Sequence, residues 1–394
     1  MNFKTFPIFF AFLCMGFGDA ASSFVGGAKE QFNLSHFDAF LLDFMAFTLP
    51  FGFLSIPMGI VQNRIGKRAT LFLGLSVALI GVSIVPIVGL EHYSTLLLSI
   101  FLLGSGAAIM QVSGNPIMRD VSDKGKYSSN LSFAQFVKVI GSITAPVAIW
   151  FAASRGFSEK ECWPILFPIF ALVILISAVS VYFLKAGRGA SSEAGSASIR
   201  SCFGLLLNPY VLMMVVGIFL YVGAEKCISS GVALYFQTDF AEEFTSAMAT
   251  KFVAYFFAAM MVGRLAGAAV LRFVDPKKFF VATSIFSLVG FALLMTGSKT
   301  LAIAALFVIS LGFANIFPLI FSIAIDRMPQ KGSELSGLMV TAICGGGLVP
   351  LAMGAVSDKF GCLIGFVVPA LCVVYLLAVA LLIMKKPKNQ TSLS

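Results

Sequence analysis

Long apolar stretches separated by short polar connections dominate the chain. Each stretch is about 20 residues long, which is the length of helix that crosses the hydrocarbon core of a bilayer. The short connections leave no room for a separate soluble domain. The pattern predicts an all-α membrane protein with twelve transmembrane helices, at residues 6–28, 38–62, 69–89, 95–118, 130–152, 163–184, 210–236, 248–271, 279–297, 300–324, 335–356 and 363–384.

The two halves of the sequence resemble each other. Residues 12–16, followed by Asp19 and two serines, return 207 residues later as 219–223, followed by Lys226 and two serines. A repeat of about half the chain, in a sequence this apolar, predicts two pseudo-symmetric six-helix bundles. Many secondary transporters have this architecture, with the substrate held between the halves near the bilayer midplane.

The repeat also predicts the domain boundaries. Residues 1–184 are expected to form the N-terminal six-helix bundle, and residues 210–394 the C-terminal bundle with a short basic tail. Residues 185–209 between them begin with a stretch rich in glycine and serine, a composition typical of a flexible linker. With an even number of spans, the linker and both termini lie on the same side of the membrane.

Composition and charge agree with a membrane protein. Hydrophobic residues make up 59% of the chain and charged residues only 11%, whereas charged residues are near a quarter of soluble proteins. With the N-terminus inside, eighteen of the 27 Lys and Arg residues fall on the inner side and six on the outer side. Cytoplasmic loops carry this excess, so both termini are predicted to be cytoplasmic. The net charge of +9 therefore reflects topology, and no nucleic-acid partner is predicted.

A few ionisable residues remain inside the predicted spans. A charge at mid-bilayer costs roughly 2.5–3.5 kcal/mol even on the most permissive scale, so such residues usually face the bundle interior and mark substrate or ion pathways. We expect Asp19, Asp43 and Glu225 to bind a coupling ion. Arg264 lies close enough to the inner boundary for a structural role. The residues in this group are Asp19, Asp43, Lys138, Glu225, Lys226 and Arg264.

Polar residues at helical spacing accompany these charges. They recur on one face of the first, fourth, fifth, seventh and tenth spans, which predicts a shared water-accessible cavity. A single serine in such a stripe is more often a helix–helix contact than a ligand. The candidate substrate-binding residues are Ser22, Ser23, Gln111, Asn115, Gln135, Lys138, Tyr221 and Asn315.

A glycine-rich basic loop follows the second span. It resembles the loop signature of the major facilitator superfamily, Gly-x3-Asp-Arg-x-Gly followed by two basic residues, with Asn63 in place of the usual aspartate. The glycines permit a tight turn, and the cations can pair with carboxylates or helix C-terminal carbonyls to hold one gate state. The predicted gating loop comprises Gly59, Asn63, Arg64, Gly66, Lys67 and Arg68.

Further segments resemble one family within that superfamily, the fucose/galactose/glucose:proton symporters. The resemblance implies the major facilitator fold and uptake of a sugar across a bacterial inner membrane, driven by a cation gradient. That family carries carboxylates where this chain has Ser22 and Gln111, so the coupling role is expected to pass to Asp19, with Glu225 or Asp43 in support. The segments are Asn115-Pro116, Ala134-Gln135, Tyr221 to Ala224, Gly263-Arg264, Phe317-Pro318, Phe321-Ser322 and Gly345 to Gly347.

Lys138 stands at a position where the family that this chain resembles carries an asparagine. The lysine has two interpretations. It can form an internal ion pair with Asp19, or it can hold a negatively charged sugar. We favour the internal pair, because the carboxylates of Asp19 and Asp43 are available as partners for Lys138 when no substrate is bound.

The sequence thus predicts a secondary active transporter that takes up a sugar or sugar derivative with a cation, H⁺ ahead of Na⁺. The alternatives are import of an acidic sugar through Lys138, export of a metabolite or drug, and, more remotely, a non-transporting membrane receptor or scaffold. An enzyme is not expected, because the chain has no phosphate-binding loop or metal cluster. No cofactor is predicted. Membrane lipid is an expected partner, and we expect a monomer.

Overall fold

The computed structural model describes residues 6–19, 24, 28, 31–34, 42, 44–153, 155, 163–183, 199–240, 242 and 246–385. The secondary structure of this part is helical. The helices, numbered in chain order, are α1 (Phe6–Asp19), α2 (Leu49–Ile65), α3 (Lys67–Val88), α4 (Tyr93–Val121), α5 (Tyr127–Ala153), α6 (Leu166–Tyr182), α7 (Ile199–Leu205), α8 (Pro209–Asp239), α9 (Ser246–Val270), α10 (Pro276–Leu294), α11 (Lys299–Phe313), α12 (Ile316–Arg327), α13 (Gly332–Thr341), α14 (Gly345–Phe360), α15 (Cys362–Gly365) and α16 (Val367–Lys385).

The prediction of an all-α membrane protein is confirmed. Eleven helical stretches among the described residues are long and apolar enough to cross a bilayer, one for each predicted span after the first. The first predicted span contains the 14-residue helix α1, which is shorter than a full crossing within the described part of the chain. Helices satisfy their backbone hydrogen bonds internally, which a hydrocarbon environment demands.

The chain packs into two compact units. The first contains residues Met1–Tyr127, Ala134–Asn208 and Met328–Cys344, so it combines α1–α4, most of α5, α6 and α7 with the distant helix α13. Within it, α3 packs along α4, α1 packs on α4 and α6, and α13 packs on α2. Gly59 of α2 lies directly against the Ser333 carbonyl and Gly337 of α13.

The second unit contains Ser128–Phe133, Pro209–Arg327 and Gly345–Ser394. Its helix α8 packs on α14 and α16, and α10 packs on α11 and α16. The short segment from the start of α5 is fixed by two hydroxyls. Ser128 Oγ lies 2.7 Å from Ser322 Oγ, and Ser129 Oγ donates to the Ala268 carbonyl at 2.5 Å.

Two glycines let α1 and α5 approach closely in the first unit. A Cβ atom on Gly16 would overlap the Lys138 carbonyl and lie 2.6 Å from the Ser142 backbone nitrogen, and a Cβ on Gly141 would overlap the Leu13 carbonyl. Small residues at a crossing are the usual way in which membrane helices bring their backbones together. The crossing places the end of α1 beside the middle of α5.

Gly16→Ala is therefore expected to destabilise the protein, by about 1–3 kcal/mol, because the added methyl group has no space. An alanine ordinarily stabilises a helix relative to glycine by up to about 1 kcal/mol. The thermal unfolding midpoint in detergent measures the difference. Gly354→Ala in α14 is the matched control, since a Cβ there meets no atom within 4 Å. A midpoint for Gly16→Ala equal to or above that of the control would contradict the tight crossing.

Candidate functional site

The first polar cluster lies where α1, α4 and α5 meet in the first unit, and consists of Asp19, Gln111, Lys138 and Ser142. Lys138 Nζ lies 3.0 Å from Asp19 Oδ2 and donates to Gln111 Oε1 at 3.2 Å. Ser142 Oγ donates to the same Asp19 oxygen at 3.1 Å. The internal pair that the sequence analysis favoured for Lys138 is present in the structure.

This cluster is largely shielded from solvent. The Lys138 side chain is 12% exposed and the Asp19 side chain 28% exposed, while Gln111 is 2% exposed. Opposite charges at 3.0 Å offset much of the cost of removing both from water. The ammonium has three donors, and the carboxylate and the amide oxygen each accept from it. The cluster can hold a cation, a proton or hydroxyl groups only if these bonds rearrange.

Two further predicted residues are buried in the same helices. Asn115 of α4 is fully buried, and Gln135 of α5 is 3% exposed. The Asn115 side-chain nitrogen and oxygen have no hydrogen-bond partner in the described part of the chain. Asn115 follows Gln111 by four positions, so both lie on one face of α4. A buried amide without a partner is costly, which makes Asn115 a candidate for binding a polar ligand.

The second polar cluster lies in the second unit and consists of Tyr221 and Glu225 of α8, Arg264 of α9 and Asn315 after α11. Tyr221 is fully buried, Asn315 is 1% exposed and Arg264 is 6% exposed. The Tyr221 hydroxyl donates to the Phe313 carbonyl at 3.1 Å, and the same side chain interacts with both Glu225 and Arg264. Two predicted substrate residues and one predicted ion-binding residue are thereby brought together.

In this structure Asn315 is turned toward α9. Its Nδ2 donates to the Gly263 carbonyl at 2.8 Å, and its amide group occupies the space that a Cβ on Gly267 would fill. Its Oδ1 has no hydrogen-bond partner among the described residues. Sugar binding by Asn315 would therefore use that oxygen or require the amide to leave α9.

The predicted gating loop connects α2 and α3 in the first unit. Gly66 adopts a φ of 87°, which favours glycine. Lys67 Nζ forms an ion pair with Asp120 Oδ2 of α4 at 2.6 Å. Arg68 Nε donates to the Val181 carbonyl at 3.1 Å, and its Nη2 donates to the Tyr182 carbonyl. The loop cations thus bind a carboxylate and the C-terminal carbonyls of α6, as expected, while Asn63 and Arg64 are exposed.

Three of the predicted residues, Ser22, Ser23 and Asp43, lie outside the described residues.

Arg264 is a buried residue to which the sequence analysis gave only a structural role. The sequence analysis placed Arg264 near the membrane boundary, but it is buried and its Nε donates to the Ala314 carbonyl at 3.2 Å. Pro318, four residues after Ala314, was the signal that could have indicated this contact. Among the described residues no cluster of three or more His, Cys, Asp or Glu side chains could hold a metal ion.

Comparisons with known proteins give a consistent result. The family model of the Major Facilitator Superfamily matches residues 8–350. The chain is 28% identical over 356 residues to a glucose/galactose transporter of Brucella abortus, covering 88% of this chain and 86% of that protein. It is 28% identical over 382 residues to a putative glucose/galactose transporter of Helicobacter pylori, covering 92% and 91%.

A solved structure shows the same fold. The crystal structure of the Escherichia coli fucose:proton symporter FucP superposes with a TM-score of 0.82 at 22% identity. The match covers 98% of this chain and 100% of that chain. The fold expected from the repeat and the apolar spans is thus found in a solved membrane transporter.

The geometry of the loop predicts unequal roles for Lys67 and Arg68. Arg68→Ala removes donors from two helix-terminal carbonyls and is expected to destabilise the protein by about 1–3 kcal/mol. Lys67→Ala removes a partly exposed ion pair, worth about 0–1 kcal/mol. Thermal unfolding in detergent gives both values. An equal or larger effect of Lys67→Ala would show that the contacts of Arg68 with α6 are unimportant.

Proposed function

The chain belongs to the Major Facilitator Superfamily, and on this premise we propose that it takes up a neutral sugar together with a proton by alternating access. It is an integral membrane transporter and not an enzyme. The relatives reported above carry glucose/galactose transporter names, and the solved structure with the same fold is a fucose:proton symporter. These names support a sugar as the substrate and a proton as the coupling ion.

One observation supports the neutral character of the sugar. Lys138 Nζ is already paired with Asp19 at 3.0 Å and bonded to Gln111 at 3.2 Å. An acidic sugar would have to compete with a carboxylate of the protein for this ammonium. A neutral sugar needs only hydrogen-bond donors and acceptors, and Gln111, Asn115 and Gln135 are the candidates for these in the first unit. Tyr221 and Asn315 are the candidates in the second unit.

The same ion pair provides a coupling mechanism. A proton that binds Asp19 cancels its charge and weakens its attraction for Lys138. The ammonium is then free to donate to sugar hydroxyl oxygens next to Gln111, so proton binding completes the sugar site. When the proton leaves on the cytoplasmic side, the ion pair reforms and the sugar loses its donor. The two ligands therefore favour the same states, as symport requires.

The remaining assignments follow from the sequence and are part of the proposal. The N-terminal bundle spans residues 1–184, the cytoplasmic linker 185–209 and the C-terminal bundle 210–394. Glu225 and Asp43 are secondary candidates for ion coupling, and Ser22 and Ser23, which follow Asp19 in the sequence, are further candidates for sugar binding. The protein works as a monomer in the lipid of a bacterial inner membrane, with both termini in the cytoplasm.

An acidic sugar is the second candidate, because Lys138 is a cation on a helix that also carries predicted substrate residues. In that case the carboxylate of the substrate replaces Asp19 at the ammonium, and Asp19 keeps Ser142 as a partner. The two candidates differ in what happens when Lys138 loses its charge.

Asp19→Asn is expected to abolish accumulation of sugar against a gradient while counterflow exchange continues, because the amide cannot take up and release a proton. Reconstituted protein in proteoliposomes is tested with radiolabelled glucose, galactose and fucose under an imposed pH gradient and, separately, a sodium gradient. Full accumulation by the variant would remove Asp19 from coupling. Accumulation by the wild type under the sodium gradient alone would replace the proton with Na⁺.

Asp123→Asn is the matched control for this experiment. Asp123 forms an exposed ion pair with Lys126 at 3.1 Å, almost the same separation as the buried pair. The substitution makes the same chemical change at the surface, where an ion pair contributes about 0–1 kcal/mol. Accumulation by this variant is expected to match that of the wild type.

Lys138→Asn distinguishes neutral from acidic sugars. We expect the variant to bind the same neutral sugars as the wild type with about tenfold weaker apparent affinity, since one charge-assisted donor is lost. Neither protein should transport a uronic acid. Uptake of a panel of neutral sugars and uronic acids measures this. Transport of uronic acids by the wild type that disappears in the variant would establish the acidic-sugar alternative.

A further inference from the structure

A helix break lies in the tenth predicted span, inside the second unit. Helix α11 ends at Phe313 and α12 begins at Ile316. The last carbonyls of a helix have no partner within it. The Ala314 carbonyl would normally accept from the backbone nitrogen four residues later, but that residue is Pro318, which has no N–H to donate. The break therefore leaves acceptors that must be matched from outside the helix.

Two side chains from other helices supply the donors. The Tyr221 hydroxyl donates to the Phe313 carbonyl at 3.1 Å, and Arg264 Nε donates to the Ala314 carbonyl at 3.2 Å. Both side chains are buried, at 0% and 6% exposure. Arg264 also places a positive charge at the C-terminus of α11, where the helix dipole favours a cation.

The first unit contains the same arrangement at another proline. Pro116 of α4 has no N–H for the Val112 carbonyl, and this carbonyl accepts from Ser336 Oγ of α13 at 2.7 Å. In both cases a side chain of a different helix takes the place of the missing backbone donor. The contact of Arg264 thus has a counterpart in the first unit, where Ser336 solves the same problem at Pro116.

The contact at the break is reciprocal. The side chain of Arg264 binds the backbone of Ala314, while the side chain of Asn315 binds the backbone of Gly263. Residues 263–264 of α9 and 314–315 of the break thus hold each other at two adjacent points. Ala314 lies between Phe313, whose carbonyl accepts from Tyr221, and Asn315. The position of Ala314 therefore sets the positions of these two neighbours.

We propose that Arg264 is a positioning residue for sugar binding. Arg264 replaces the backbone donor that is absent at Pro318, and it thereby fixes Tyr221 and Asn315. This inference rests on the proposed function, because it takes these two residues as part of the sugar site. Arg264 acts through the Ala314 carbonyl and does not itself touch the sugar.

The test is a double-mutant cycle between Arg264 and Pro318. Arg264→Met removes the side-chain donor and is expected to raise the KM for sugar uptake by about tenfold, with the maximal rate per folded transporter little changed. Pro318→Ala restores a backbone N–H that can donate to Ala314. In the Pro318→Ala background, Arg264→Met is expected to raise KM by less than about threefold, because the acceptor is already matched.

Two controls define the mechanism. Pro116→Ala restores a donor to Val112 instead of Ala314, so it should not rescue Arg264→Met. Arg264→Lys keeps the charge but loses the planar set of donors, and it is expected to have a KM between those of the wild type and Arg264→Met. An equal effect of Arg264→Met on KM in the wild-type and Pro318→Ala backgrounds would overturn the proposal and indicate a role through Glu225 or the sugar.

Thermal unfolding of the same variants in detergent, without sugar, separates this inference from the proposed function. Arg264→Met should lower the unfolding midpoint, and Pro318→Ala should recover most of the loss, whatever substrate the protein carries. If Arg264→Met yields no folded protein, recovery of folded protein in the double variant supports the proposal and failure to recover it overturns it. Recovery of stability without transport of any sugar would reject the proposed sugar function and leave the backbone role of Arg264 intact.

Discussion

The interior of this protein has to match its own polar groups, because the surrounding lipid offers neither donors nor acceptors. This constraint explains contacts that would be optional in a soluble protein. The Lys138 ammonium is bound by Asp19 and Gln111, and the carbonyls near Pro116 and Pro318 accept from Ser336 and Arg264. Most of these contacts join helices that are not neighbours in the sequence.

Close backbone approach makes one of these contacts possible. The crossing of α1 and α5 at Gly16 and Gly141 brings Asp19 within 3.0 Å of Lys138. Larger residues at the crossing would separate the helices and leave both charges unpaired. A buried charge without a partner costs far more than the pair itself contributes. The small residues of the crossing and the charges of the site are thus parts of one arrangement.

In the proposed mechanism the ion pair also connects stability to transport. A pair this well shielded is stable only while both charges are present, so a proton on Asp19 changes the partners that Lys138 prefers. The second polar cluster offers a comparable combination in the other unit, with Tyr221, Glu225 and Arg264 around a helix break. Transporters of inverted-repeat design commonly place their ligands at such irregular helices, where backbone groups are accessible. The superfamily assignment and the two clusters therefore support the same functional class.

The sequence by itself determined the fold class, the approximate positions of the eleven spans found in the described part of the chain and the candidate charged residues. These properties depend on the lengths of apolar runs and on the cost of charges in lipid, both of which are local in the chain. The loop after α2 was predictable for the same reason, because its cations follow one helix and precede another. The expectation of sugar uptake with a proton came from segments that resemble the fucose/galactose/glucose:proton symporters.

Only the tertiary structure decided which polar groups meet. The sequence analysis favoured a pair between Lys138 and Asp19 from their charges, but the 3.0 Å separation of this pair comes from helix packing. Nothing local in the sequence links Ser336 to a carbonyl 224 positions away. The sequence analysis gave Arg264 a structural role because of its position near the membrane boundary. Its partner in the structure is the Ala314 carbonyl, 50 positions away, which Pro318 leaves unmatched. It treated Asn315 as a sugar ligand, whereas the structure places its amide against α9. Such pairings depend on helix crossings, and crossings are set by packing between segments far apart in the chain.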